Sequence, residues 1–303
     1  MSSGALNHAA KGTTSAAAKA AVNTTTHRFT VDVEEHFQVN AFEGIVQRSD
    51  WPSHPSRVER SMDVLLDLLA RHEATATFFV LGWVALRHKR LVRRLVDNGH
   101  EVASHGFWHR RVTTLTPEEF RADIRHAKAV IEDAAGVQVE GFRAPSFSIV
   151  PGREWAFDVL LEEGHSYDSS IFPIRRSGYG YPGAPTAPYA IERSAGTLRE
   201  YPLTTLRAFG LRVPAAGGGY LRQFPLGVIR RAFVQSESEG IPGVFYIHPW
   251  ELDPGQPRLP TGTLTRLRHY RGLESTASRI DTLLGEFRFA SIAGGAPAAR
   301  AAA

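Results

Sequence analysis

The chain contains no cysteine, so neither a disulfide framework nor a thiolate-bound metal can hold it together. Apolar runs are short, and none approaches the ~18 consecutive residues that a membrane-spanning helix needs. Lysine is confined to Lys11, Lys19, Lys89 and Lys128, so the excess of 35 basic over 31 acidic residues is arginine, interleaved with acidic neighbours rather than gathered into a stripe. A net charge of +4 spread in that way argues against a nucleic-acid partner. Residues 1–26 carry polar Asn, Lys, Ser and Thr where a signal peptide needs an apolar core, which sets a cytoplasmic expectation. Residues 1–27 and the tail 293–303 lack apolar periodicity and read as disordered, leaving 28–292 as one folded domain.

Within that domain, short apolar runs alternate with helix-like segments. Residues 28–33 (RFTVDV) read as a strand and 57–71 as a helix, with Met62, Leu65, Leu66 and Leu69 at helical spacing. Residues 76–81, 100–104, 139–143 and 166–168 read as further strands, with helices predicted over 83–97 and 152–163. Thr116-Pro117-Glu118-Glu119 combines an N-cap, a proline at the first helical position and a capping-box glutamate, marking the start of another helix. Four alternations of this kind predict right-handed crossovers around a parallel sheet, either a barrel or a doubly wound sheet, and the first half favours the barrel. Residues 173–219 are dense in glycine and proline around short strand-like pieces such as 198–203 (LREYPL), and read as an insertion or irregular lobe. A helix near 226–239, a strand over 244–248 and a last helix near 273–285 follow.

In parallel α/β folds the reacting groups stand at the carboxyl ends of strands. Those ends are polar here: Asp32-Val33-Glu34-Glu35-His36, Ser104-His105-Gly106-Phe107-Trp108-His109, Arg143-Ala144-Pro145, Tyr167-Asp168-Ser169-Ser170 and Tyr246-Ile247-His248-Pro249-Trp250-Glu251. His105 and His109 are four apart, which points two imidazoles one way, as a metal clamp needs, if the turn between them is helical. Alone, the pair equally describes a surface turn packed on Trp108. The acidic cluster could complete a two-histidine, one-carboxylate site, or it could be a solvated loop that caps a helix. Alternation places Asp32 and Glu34 on one side of the first strand, with Glu35 entering the loop. Arg143 is an expected partner for a buried carboxylate. Asp168 and His248 are an expected acid pair, although a lone histidine on an apolar strand is more often a core residue. His36, His100 and His165 have no such spacing and read as structural.

Taken together, Thr30-Val31-Asp32-Val33-Glu34, Ser104 to His109, Arg143-Ala144-Pro145-Ser146-Phe147, Tyr167 to Ser170 and Ile247-His248-Pro249 resemble the five ordered motifs of polysaccharide deacetylases with a NodB homology domain, carbohydrate esterase family 4. The likeness runs over about residues 28–250. Residues 32–42 (DVEEHFQVNAF) and 248–258 (HPWELDPGQPR), with His269-Tyr270-Arg271, further resemble the branch associated with exosortase and exopolysaccharide gene clusters. That likeness adds a C-terminal extension from about 250 to 292. The resemblance implies a distorted seven-stranded β/α barrel, one divalent metal, and an N-acetylated oligo- or polysaccharide as substrate. The family's first motif usually has two adjacent aspartates, a base and then a ligand. Here Asp32 takes the base position and the third ligand lies between Glu34 and Glu35; alternation selects Glu34. Gly106 stands where Ser or Thr is usual, so one supporting hydrogen bond is expected to be missing.

The implied reaction is hydrolysis of a sugar N-acetyl group, with the metal on Glu34, His105 and His109. Zinc suits two imidazoles and a carboxylate best, and cobalt or nickel could substitute. Asp32 would take a proton from water, Arg143 would keep Asp32 ionised, and His248, oriented by Asp168, would protonate the leaving amine. Trp108 and Trp250 are either sugar-stacking aromatics or core packing. Peripheral association with exopolysaccharide machinery at the inner membrane face would follow. Three rivals come from other classes: a metal hydrolase of another C–N bond, such as a cyclic amide, a non-catalytic saccharide-binding barrel, and a scaffolding protein using the arginine-rich surface, which no specific feature supports. Against the second stands the presence of base, ligands, arginine and acid together.

Overall fold

The computed structural model describes residues 25–176 and 178–295, so the disorder expected for residues 1–24 and 296–303 lies outside the described residues. The first strand, β1 (Thr26–Val33), begins two residues before the expected domain start. Residues 293–295 form a short 3-10 turn, with Ala293 N donating to Glu101 Oε2 at 2.9 Å. From β1 the chain runs through α1 (Val58–Arg71) to β2 (Thr77–Val80), then through α2 (Gly82–Arg87) and α3 (Lys89–Asp97) to β3 (Glu101–Ser104). Next, α4 (Pro117–Ala135) leads to β4 (Gly141–Phe142) and α5 (Trp155–Glu162) to β5 (Tyr167–Asp168).

Local chemistry accounts for these elements. In α1 the periodic residues Met62, Leu65 and Leu69 are fully buried, each contributing roughly 1.5–3 kcal/mol relative to exposure. The capping box of α4 is formed as the spacing predicts: Glu119 N donates to Thr116 Oγ1 at 3.2 Å, and Thr116 N donates to Glu119 Oε2 at 3.0 Å. The single helix expected over 83–97 is two helices broken at His88 (φ −123°, ψ 47°), whose imidazole reaches Glu59 Oε1 of α1 at 3.2 Å.

The second half holds the hairpins β6 (Tyr189–Arg193) with β7 (Gly196–Glu200) and β8 (Thr205–Ala208) with β9 (Leu211–Pro214). It continues with α6 (Gly219–Gln223), α7 (Leu226–Ser238), β10 (Val244–Ile247), α8 (Thr263–Tyr270), α9 (Thr276–Glu286) and β11 (Arg288–Ala290). Seven strands pair in parallel in the order β10-β1-β2-β3-β4-β5-β7, while β6 adds antiparallel to β7 and β11 pairs with the start of β1. The glycine- and proline-rich stretch thus supplies the seventh barrel strand as well as the irregular insertion.

The barrel closes along a seam without a full ladder. Thr204 N donates to Val244 O (3.2 Å), Tyr246 N to Ala216 O (2.7 Å) and Gly218 N to Tyr246 O (2.9 Å). Gly217 has φ +125°, and a Cβ there would lie 2.0 Å from Tyr246 O, so only glycine lets the chain approach β10 this closely. This seam is the distortion of the barrel. Along β1, Phe29, Val31 and Val33 pack into the main apolar core, while Thr30 and Asp32 both meet Arg143 on the other side. The carboxyl ends of β1, β3, β4 and β10 therefore share one rim.

Candidate active site

A cavity of about 460 Å³ opens on that rim, and its lining includes Asp32, Glu34, His105, His109, Tyr246 and His248. Strand alternation brings Asp32 and Glu34 to the same side, as expected. Glu35 turns the other way: its carboxylate accepts from the backbone N–H of Arg57 (3.0 Å) and Val58 (3.4 Å) and from the Ser56 hydroxyl, at the first turn of α1. One neighbouring carboxylate thus faces the cavity and the other caps a helix.

Glu34, His105 and His109 are buried and each offers a donor atom, all within 4.8 Å of one another. The route by which the histidines meet differs from the expected helical turn. Residues 105–109 form a bend in which Gly106 (φ +73°) and His109 (φ +51°) are left-handed, and the bend folds the rings to 5.3 Å between centroids. Asp123 of α4 holds it by accepting from Phe107 N (2.8 Å) and Trp108 N (3.3 Å). A Cβ on Gly106 would come within 2.9 Å of that carboxylate. Glycine is thus required by backbone and space together, and Gly106 N keeps a hydrogen bond to Ser104 Oγ at 3.3 Å.

The donor set fits a divalent cation. His105 Nδ1 donates to the Arg143 carbonyl (2.8 Å). His109 Nδ1 donates to Asn40 Oδ1 (3.1 Å), and the amide of Asn40 is oriented by its own donation to Ser146 Oγ (2.7 Å). With both Nδ1 atoms carrying hydrogen, both Nε2 atoms present lone pairs to the cluster. There Glu34 Oε2 is buried without a hydrogen bond, 2.8 Å from His109 Nε2, while Glu34 Oε1 accepts from Trp250 Nε1 at 3.1 Å. Lone pairs and an unpaired carboxylate oxygen facing one another are complementary to a cation. Burial pushes Glu34 up, but the imidazoles of His109, His248 and His105 outweigh it and hold the carboxyl at about 2. Burial lowers His105 to about 4, so its ring is neutral near pH 7, the form that binds metal.

Arg143 is wholly buried and pairs with Asp32 as expected. Its Nη1 donates to Asp32 Oδ1 (2.8 Å) and Thr30 Oγ1 (2.7 Å), its Nε and Nη2 to the carbonyl and hydroxyl of Ser169 (2.9 and 2.7 Å), and the Phe79 ring lies 4.1 Å away. His248 stands across the cavity, with Nε2 3.8 Å from both Asp32 Oδ2 and Glu34 Oε1. Burial alone would lower its pKa; Glu251, Glu34 and Asp32 reverse that and push it up to about 9.

The expected pairing of His248 with Asp168 is not formed. His248 Nδ1 donates to Glu251 Oε1 at 2.8 Å. Asp168 accepts instead from the hydroxyl (2.6 Å) and N–H (3.1 Å) of Ser170 and is in register with Glu200 of β7. Burial pushes both carboxyls up, and Glu200 furthest, with Asp168 beside it. The cause is topological, because β7 and the seam separate β5 from β10. Asp168 acts at a distance, since its turn carries Ser169 to Arg143 and Ser170 to Ala144 N (2.7 Å).

Sequence reasoning missed Asn40, Ser169, Arg222 and Glu251; only Glu251, three residues after His248 across a proline, left a readable signal. Trp250 is 6% exposed and stacked between His248 and His269 (centroids 5.1 and 4.2 Å), so it packs and orients Glu34. Trp108 is 37% exposed and stands outside the main cavity beside Arg48 and Arg110. His36 and His165 are buried apart from the site. Among the described residues, no helix is long and apolar enough to cross a membrane.

Residues 52–150 match the family model for polysaccharide deacetylase, and residues 169–295 match a domain of unknown function, DUF3473. The chain is 33% identical over 96 residues to a chitooligosaccharide deacetylase of Bradyrhizobium sp. (strain ANU 289), an alignment covering 32% of this chain and 42% of that protein. It is 29% identical over 132 residues to a peptidoglycan-N-acetylglucosamine deacetylase of Bacillus cereus, covering 40% and 47%. The chain therefore spans less than half the length of these curated relatives. In fold it is similar to the crystal structure of a Mycobacterium smegmatis protein assigned to the polysaccharide deacetylases, with TM-score 0.60, 17% identity and 89% of each chain covered.

Proposed function

We propose that this chain, which carries a polysaccharide deacetylase domain of the NodB type, hydrolyses N-acetyl groups on an amino-sugar polymer or its oligosaccharide precursor and releases acetate. The observation that carries this reading is the meeting of the Glu34, His105 and His109 cluster with the Asp32–Arg143 pair and His248 in one open cavity. The relatives' names, which specify chitooligosaccharide and peptidoglycan N-acetylglucosamine, support an N-acetylated sugar as substrate.

Glu34, His105 and His109 would hold one divalent cation, zinc first. Bound there, it supplies a more acidic water and a polarised acetyl carbonyl. Asp32 has Oδ1 engaged by Arg143, leaving Oδ2 to take the proton from the attacking water. The fully buried Arg143 holds the Asp32 carboxylate in place and faces it with a fixed positive charge. His248 gives its Nε2 proton to the sugar nitrogen as the C–N bond breaks, because an amine leaves poorly without it. Phe147, Tyr179 and Tyr246 line the same cavity and offer ring faces to a sugar. The segments 32–42 and 248–258 support exopolysaccharide biosynthesis as the setting.

The test is acetate release from an N-acetylglucosamine oligomer by the purified chain, measured before and after chelation and after zinc is restored. Release that disappears with the chelator and returns with zinc is expected. Absence of release from the metal-loaded protein, or release indifferent to chelation, overturns the reading.

A further inference from the structure

We infer that Glu251, held from behind by Arg222, fixes the tautomer and orientation of His248, the task that the sequence pattern assigns to Asp168. Glu251 Oε1 accepts from His248 Nδ1 (2.8 Å) and from its backbone N–H (3.1 Å), while Oε2 accepts from Arg222 Nε. Arg222 is itself fixed by donating to the carbonyls of His269 (2.7 Å) and Arg271 (2.9 Å), beside the Trp250 ring. The side chains of Glu251 and Arg222 are 0% and 2% exposed, so neither has the freedom of a surface ion pair.

The chemistry follows from which atoms can donate. An ionised carboxylate only accepts, so the hydrogen on this side of the ring must sit on Nδ1, and Nε2 is turned toward Asp32 and Glu34. The three-residue spacing is set by the 3-10 turn Pro249–Leu252, which returns Glu251 beneath the imidazole. Arg222, Trp250 and His269 all lie within the match to the domain of unknown function, residues 169–295. That half of the chain therefore carries the support for His248 as well as the barrel strands β7 and β10. The consequence for catalysis rests on the proposed deacetylation; the tautomer does not.

Closing the turn and fixing the tautomer are separable. In Glu251→Gln the arginine still demands an oxygen, so the amide turns its NH₂ toward His248 Nδ1. Nδ1 must then accept, and the hydrogen moves to Nε2. The experiment is a long-range ¹H–¹⁵N spectrum of the histidines in the full chain, with His248 identified from its loss in His248→Gln. Read on the alkaline side, where the ring has lost the Nε2 proton that it donates in the charged form, wild type is expected to show hydrogen on Nδ1, Glu251→Gln to show the reversed pattern, and Asp168→Asn to leave it unchanged. On an N-acetylated amino-sugar oligomer, Glu251→Gln should lower kcat on the order of 10- to 100-fold with KM little changed, as for loss of a residue that orients a histidine. An activated aryl acetate, whose leaving group needs no proton, should be spared. An unchanged His248 signature in Glu251→Gln, or a changed one in Asp168→Asn, overturns the inference. Should Glu251→Gln not fold, the wild-type spectrum decides, since hydrogen on Nε2 and none on Nδ1 overturns it. A wild-type chain that releases no acetate overturns the proposed function and leaves the spectrum standing as the test of this one.

Discussion

Glu34 and Glu35 are neighbours with opposite orientations, and a strand's two-residue period is enough to separate their roles. Glu34 accepts from Trp250 and faces His109, whereas Glu35 takes the free N–H groups at the start of α1. Replacing Glu34 with Gln should therefore reduce bound metal, measured by elemental analysis, while Glu35→Gln should retain it. Loss of the cap in Glu35→Ala should instead lower stability by about 0.5–2 kcal/mol, read from chemical denaturation. The reverse pattern would show the assignment to be wrong by one position. Asp32→Asn should also retain metal, yet lower kcat by ~10²–10⁴-fold, the usual loss when general acid–base catalysis is removed. Because Arg143 is wholly buried, the same change leaves a guanidinium without its carboxylate, so the assay belongs well below the variant's melting temperature. Activity within tenfold of wild type would remove Asp32 from the role of base.

Two elements depend on glycine, and they differ from the glycines that merely turn. At the bend after β3, Gly106 lets Asp123 hold two backbone N–H groups. At the seam, Gly217 lets residues 216–218 bond to β10. Gly217→Ala would place a methyl 2.0 Å from the Tyr246 carbonyl oxygen at φ +125° and should cost several kcal/mol, among the larger effects of a point change. Gly183→Ala, also at positive φ (+85°) but with nothing within 4 Å of its Cβ, should cost only about 1–2 kcal/mol. Urea midpoints of the two variants provide the comparison, and equal losses would mean that the seam yields easily.

At the scale of the whole molecule, histidines enclosed in the neutral form weaken the fold in acid, and they outnumber the buried carboxyls of Asp168 and Glu200, which act in the opposite sense. Burial holds His27 and His100 down at about 4 and His165 and His269 at about 3, against an ordinary value of 6.5. Between pH 6.5 and those values the unfolded chain binds protons that the folded chain refuses, so stability is fully present above 6.5 and falls as pH drops through that window. The urea midpoint should accordingly fall steadily from pH 7 to pH 4.5. His165→Phe, which removes one such site within a buried environment, should make the fall shallower. A midpoint that stays flat over that range would mean that these rings remain hydrated.

The sequence alone determined the parts that depend on local order. The capping box of α4, the buried face of α1, the common side of Asp32 and Glu34, and the rim position of the polar ends of β1, β3, β4 and β10 all follow from helix or strand periodicity and from the polarity of parallel strands. Tertiary structure decided the rest. The strand-like residues 198–203 overlap β7, but nothing local marks them as a barrel strand, because the partner β5 lies some 30 residues away and a ladder between distant segments leaves no local pattern. The histidine cluster depends on a left-handed bend held by Asp123, a contact from another helix. Asp168 and Glu251 are both carboxylates near motif residues, and no spacing rule ranks them as partners of His248. Only barrel closure, which places β7 and a seam between β5 and β10, and the buried Arg222 behind Glu251 make that choice.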